Sequence, residues 1–161
     1  MSFIPIIADI YRKAKEKNIL AGILIFDIIA FLSYVVNPFS LFYASDIDLI
    51  FGGIVALLFA LKNRNVNQTA FKTAFYVGLI GAILSAVSIS VFEWVFFIIY
   101  TGFSFITFSS LLLTFLIVAI LVGLILSVLI GYLYYRKDLN SSKAKANSKY
   151  TDDFLEDLLK K

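Results

Sequence analysis

The chain contains no cysteine and no histidine, and its single methionine is Met1. It therefore has no disulfide bond and no Ser-His-Asp triad, and it lacks the soft ligands that hold zinc, copper, haem or iron–sulfur clusters. A carboxylate site for a hard cation remains compatible with this composition. We expect a protein that carries no cofactor and is not an enzyme.

Charged residues are also scarce. They make up 16% of the 161 residues, whereas soluble domains contain about a quarter. Apolar residues make up 61% and occur in long runs, and a helix of about 20 apolar residues spans the hydrocarbon core of a bilayer. The composition predicts an integral protein of the cell membrane, with the lipid bilayer as its main partner.

The predicted fold is all-α and polytopic, with four transmembrane helices in a domain covering 19–135. The four spans are residues 19–36, 42–61, 73–92 and 111–135. The second is the least clear, because its uninterrupted apolar part is short. The aromatic stretch 95–109 either extends the third helix or forms a half-inserted loop, and the sequence leaves both open.

The two ends of the chain are amphipathic. Residues 1–18 combine an apolar stripe with basic residues and predict an interfacial helix drawn to anionic lipid headgroups. A flexible charged leader is the alternative. Residues 136–161 read as a linker, at 138–149, followed by a short amphipathic helix at 150–161. We expect that helix to bind lipid or a cytoplasmic protein partner.

The distribution of basic residues predicts the orientation. All 14 Lys and Arg fall in the N-terminal segment, the loop after the second span and the C-terminal tail. The loops at 37–46 and 93–109 contain none. The positive-inside rule therefore predicts a multi-pass protein with both termini in the cytoplasm. Because these residues flank apolar spans, we do not expect nucleic-acid binding.

Small residues recur at every fourth position in three of the spans. At this spacing they let helix backbones approach closely in lipid. The stripes predict either packing within the bundle or a homo-oligomer interface. Their members are Gly52, Ala56, Ala60, Ala74, Gly78, Ala82, Ala86, Ala119, Gly123, Ser127 and Gly131.

One hairpin carries a family resemblance. Residues 52–84, GGIVALLFALKNRNVNQTAFKTAFYVGLIGAIL, couple a Gly-Gly start, a polar basic turn and a glycine-containing second helix. In this the chain resembles small archaeal and bacterial four-helix integral membrane proteins of unknown function. The resemblance implies a fold but neither an activity nor any site residues.

Asp27 is the candidate site, because it interrupts the middle of the first span. An ionised carboxylate at the bilayer centre costs about 3 kcal/mol on insertion scales. It is either a polar clamp between helices or an ion-coupling carboxylate. Ser85 and Ser127 are its candidate partners, because each lies near the centre of its own span. A four-helix protein with one acid in its first helix also resembles the small multidrug transporters in layout.

The sequence supports two functions. The first interpretation is a non-enzymatic membrane scaffold or accessory protein, because that role does not require Asp27 to couple the movement of an ion. A small proton- or cation-coupled transporter or channel that uses Asp27 is the alternative.

Asp46, Asp48 and Glu93 read as solvated interface residues, with a divalent-cation site as the alternative for them.

Overall fold

The structure, a computed structural model, describes residues 17–36, 46–65 and 68–159 of the chain. Within these residues the fold is all-α, as predicted. The predicted interfacial segment 1–18 lies outside the described residues apart from Lys17 and Asn18. The four described helices are α1 (Asn18–Val36), α2 (Asp46–Lys62), α3 (Ala70–Thr101) and α4 (Phe105–Leu159).

Three of these helices, α1, α3 and α4, are long and apolar enough to cross a bilayer. The helix α2 has 17 residues and therefore rises about 25 Å, against a hydrocarbon core of about 30 Å. The predicted second span, 42–61, begins four residues before α2, in a stretch outside the described residues. A crossing by α2 therefore stays a prediction.

The hairpin between α3 and α4 accounts for the aromatic stretch 95–109. The helix α3 continues to Thr101, and Gly102 follows it with a φ of 82°, which a residue without a β-carbon adopts most easily. Trp94 Nε1 donates a hydrogen bond to the carbonyl oxygen of Ser104 at 3.0 Å. Of the two sequence alternatives, the structure has the extended third helix, followed by a tight turn into α4.

The helix α4 runs without a break from Phe105 to Leu159. This corrects the prediction of a linker at 138–149 and of a separate helix after it. The polar composition suggested a linker, but no glycine or proline follows Gly131. Lysine and alanine, which recur in this stretch, are strong helix formers, so nothing in the sequence interrupts the helix.

The two ends of the bundle differ in charge because successive helices run in opposite directions. At one end Asn18 Nδ2 donates to the carbonyl oxygen of Ala60 at 3.1 Å. We call this the basic end, and Asp48 and Glu93 mark the opposite, acidic end. The basic residues whose side chains the structure describes all lie at the basic end: Lys17, Lys62, Arg64, Lys72, Arg136 and Lys137.

The core of α1 is a single stripe of every fourth residue. Its buried members are Asn18, Gly22, Phe26, Ala30 and Tyr34. Such a stripe follows one face of a helix, since residues four apart lie above one another. Asp27 lies one position off this stripe, at its edge.

The small-residue stripes lie inside the chain's own bundle. A β-carbon placed on Gly123 would come within 2.5 Å of the carbonyl oxygen of Gly78, so α3 and α4 meet backbone to backbone there. Ala56, Ala60, Ala74, Ala82, Ala86 and Ala119 have no exposed surface, and Gly52, Gly78, Gly123, Ser127 and Gly131 are also buried. These contacts are what packing within one bundle requires, and a homo-oligomer stays a prediction.

Candidate functional site: Asp27 and the groove between α1 and α3

Asp27 lies in the middle of α1 and faces a groove between α1 and α3. The groove has a volume of about 730 Å³ and is open on one side. Of the nine described residues that line it, seven are apolar, and the two polar ones are Asp27 and Ser88. The apolar ones are Ile28, Phe31, Leu32, Val87, Val91, Phe92 and Val95. The groove is therefore a hydrophobic surface with one acidic group.

The carboxylate of Asp27 is not satisfied by the rest of the described chain. Its Oδ1 atom is buried and has no hydrogen-bond partner among the described residues. An unpaired buried acceptor costs about 1–3 kcal/mol, and more when it is charged. A polar clamp between helices would need a donor at this atom, and the described residues supply none.

The two serines predicted as partners of Asp27 bond elsewhere. Ser85 Oγ donates to the carbonyl oxygen of Gly81 at 2.9 Å. Ser127 Oγ lies 2.6 Å from the carbonyl oxygen of Gly123 and 2.9 Å from that of Ala74. Ser127 therefore ties α4 to α3 and has no contact with Asp27.

Ser88 is the hydroxyl that the structure brings to the groove with Asp27. Sequence reasoning missed it, although the pattern contained a signal. Val87, Ser88, Val91, Phe92 and Val95 are spaced as one face of a helix, and Ser88 is the polar residue on that face. The sequence alone did not show which face of α3 would meet α1.

A second polar group, at the acidic end, consists of Ser33, Tyr34, Asp48 and Glu93; we call it the acidic-end cluster. The hydroxyl of Ser33 donates to Asp48 Oδ1, and the phenol of Tyr34 donates to Glu93 Oε1. Two neighbouring residues of α1 thus hold one carboxylate from α2 and one from α3.

The two acids of this cluster are buried, which corrects their interpretation as solvated interface residues. Asp48 is 1% exposed and Glu93 is 7% exposed. The reason is helical register. Asp48 precedes the buried Gly52 and Ala56 at steps of four, and Glu93 lies on the same face of α3 as the buried Ala86.

Phe92 separates the groove from the acidic-end cluster. Its ring stands edge-on to Phe31, which lines the groove, with the centroids 5.6 Å apart. It also stands edge-on to Tyr34 at 6.4 Å. Because α1 rises about 1.5 Å per residue, Asp27 and Tyr34 lie about 10 Å apart along the helix axis. The two polar groups are neighbours divided by one aromatic side chain.

A smaller groove of about 310 Å³ lies at the basic end. Its polar lining residues are Lys17, Asn18 and Gln68, and α1 supplies an apolar wall that includes Leu20 and Ile23. A cationic rim beside an apolar wall matches the two parts of an anionic phospholipid. The geometry is compatible with the predicted affinity for anionic headgroups.

Among the described residues, no three acidic side chains come together in a way that could hold a metal ion. No family model, curated protein or solved structure matches the chain. The candidate site therefore rests on the geometry of Asp27 and its groove.

Proposed function

We propose that this protein is a small membrane transporter that takes an organic cation from the bilayer into the groove between α1 and α3. The observation that supports this most directly is the buried, unpartnered Oδ1 of Asp27 in an otherwise apolar groove. An amphipathic cation satisfies both features, since its charge compensates the carboxylate and its apolar part covers the walls.

An organic cation fits this groove better than a metal ion. Hard metal ions take six or more oxygen ligands, and the polar lining consists of Asp27 and Ser88 alone. The attraction is strengthened by the apolar walls, which lower the effective dielectric constant around the carboxylate. Opposite unit charges 4 Å apart gain about 4 kcal/mol at an effective dielectric constant of 20. A proton would compete for the same carboxylate, which would couple cation release to protonation.

The transporter would cross the membrane four times, with both termini and the basic end in the cytoplasm. Two features support this arrangement. Successive helices alternate in direction, and the described lysines and arginines are gathered at one end, as the positive-inside rule requires. The helix α2 would be the shortest of the four spans.

The test is ethidium flux through purified protein in liposomes under imposed proton and sodium gradients. We expect flux in the wild type and background flux in Asp27→Asn. The matched control is Asp138→Asn, which neutralises a half-exposed aspartate at the basic end and should transport as the wild type does. Absence of flux in correctly inserted wild-type protein would overturn the proposal.

A second pair of variants tests the groove with Asp27 left in place. Val91 lines the groove and is 42% exposed, so Val91→Trp would fill the space and block flux. Val128, on α4, is 51% exposed and does not line the groove. Val128→Trp should therefore leave flux unchanged. Equal flux in the two tryptophan variants would place the transported cation elsewhere.

The scaffold or accessory role is the second candidate, and the length of α4 favours it. The helix has 55 residues, so the part after Arg136 extends about 35 Å from the basic end. Such an arm would suit a cytoplasmic partner. Truncation after Ser142 keeps the Arg64–Asp138 ion pair. If it changed neither localisation nor the co-purifying proteins, the arm would have no docking role.

A further inference from the structure

The acidic-end cluster buries two carboxylates that have no counter-charge among the described residues. Asp48 and Glu93 are nearly inaccessible to solvent, and the described lysines and arginines lie at the opposite end of the bundle. Two ionised carboxylates in a site of low dielectric repel each other and are both poorly solvated. The described side chains supply hydroxyl donors to this cluster but no positive charge.

Adjacent residues of α1 hold the two carboxylates. Ser33 and Tyr34 are adjacent in α1 and donate to Asp48 and Glu93 respectively. The phenol of Tyr34 lies within electrostatic range of both carboxylates. The cluster is therefore one electrostatic unit formed by three helices.

One atom of the cluster has no described partner. Asp48 is 1% exposed, and while its Oδ1 accepts from Ser33, its Oδ2 is buried without a hydrogen bond among the described residues. The other described helices packed around the cluster do not supply one. The helix α4 contributes the ring of Phe115 against Tyr34, and Phe92 of α3 covers the side toward the groove.

We propose that the acidic-end cluster is a cation site, in which Asp48 and Glu93 bind one compensating positive charge at the unpartnered Oδ2 of Asp48. The charge is a proton or an alkali metal ion, since either one compensates a buried carboxylate charge. Among the residues whose side chains the structure describes, the titratable groups facing the site are Tyr34 from α1, Asp48 from α2 and Glu93 from α3. This site is separate from Asp27, so the inference does not depend on the proposed transport function.

The test is the thermal stability of the purified protein in detergent, because a ligand that binds only the folded state raises the unfolding temperature. One series replaces choline with sodium at constant pH and ionic strength. The other lowers the pH in sodium-free buffer. If a metal ion binds, the wild type becomes more stable as sodium rises. If a proton binds, it becomes more stable as the pH falls toward the acidic range.

The variants assign the response to the cluster. Asp48→Asn with Glu93→Gln keeps the shapes and the hydrogen-bond acceptors while removing both charges, and it should abolish the response. Asp27→Asn removes the other buried carboxylate and should keep it. The single variants Asp48→Asn and Glu93→Gln should each weaken the response, and they replace the double variant if it does not fold. A wild type that responds to neither series, or a response that survives in the double variant, would overturn the proposal.

Discussion

The phenol of Tyr34 in α1 donates a hydrogen bond to the carboxylate of Glu93 in α3, 59 positions further along the chain. Both side chains are buried, with Tyr34 2% and Glu93 7% exposed. This contact joins two of the helices that are long and apolar enough to cross a membrane. It is one of the contacts that hold α1, which carries Asp27, against α3.

Tyr34→Phe should destabilise the fold. The substitution keeps the ring and its contacts with Phe92 and Phe115 but leaves Glu93 without its donor. Hydrogen bonds to charged groups contribute about 1.5–3 kcal/mol, and we expect a loss of that size in unfolding experiments in detergent. Tyr132→Phe is the matched control, because Tyr132 is 54% exposed. Equal stabilities for the two variants would mean that the contact with Glu93 contributes nothing.

Gly123→Ala should lower the stability of the fold more than Gly131→Ala does. A β-carbon at 123 would lie 2.5 Å from the backbone oxygen of Gly78, whereas at 131 the nearest atom is the methyl carbon of Ala74 at 3.1 Å. Forcing extra volume into a packed core costs about 1–3 kcal/mol. We expect a loss in that range for Gly123→Ala and a smaller one for Gly131→Ala, measured by thermal unfolding. The reverse order would show that α3 and α4 do not meet at Gly78 and Gly123.

The orientation can be tested without background labelling, because the chain has no cysteine of its own. Asn65→Cys places a thiol at the basic end, and Ile106→Cys places one at the acidic end, where Ile106 is 83% exposed. With an impermeant maleimide on intact cells, we expect labelling at 106 and none at 65. Disrupting the membrane should make 65 reactive. Labelling of 65 in intact cells would reverse the proposed orientation.

The bounds of the first helix were the most predictable part of the fold. The first span was predicted at 19–36, and α1 is Asn18–Val36, because Lys17 and the Asn37-Pro38 pair interrupt the apolar run on both sides. The continuation of α4 through 138–149 was not predicted. Its polar composition resembles that of linkers. The segment contains neither glycine nor proline, however, so its helix-forming residues continue the helix.

The chemistry of the site was less predictable than the helices. Asp27 was singled out because a lone acid in an apolar run is visible in the sequence. Its groove was not, because which faces of α1 and α3 meet depends on packing at residues such as Phe26 and Gly81. The burial of Asp48 and Glu93 was missed for the same reason. Acids near the end of a span usually face water.

The groove at the basic end predicts a lipid contact. Lys17→Gln should lower the amount of anionic phospholipid that remains bound to the purified protein, because a basic residue near the surface contributes about 1 kcal/mol to binding anionic lipid. Lys62→Gln is the control, since Lys62 is at the same end but does not line the groove. Native mass spectrometry measures the bound lipid. An equal loss of bound lipid in both variants would mean that lipid binding depends on positive charge in general rather than on this groove.

Equilibrium binding of tetraphenylphosphonium to the detergent-solubilised protein tests the central claim about Asp27 most directly. The cation is apolar except for its charge, as the groove requires. We predict that Asp27→Asn weakens binding by at least about tenfold, which corresponds to about 1.4 kcal/mol, and that Asp138→Asn binds as the wild type does. Wild-type affinity in Asp27→Asn would contradict the account and leave Asp27 without a role in cation binding.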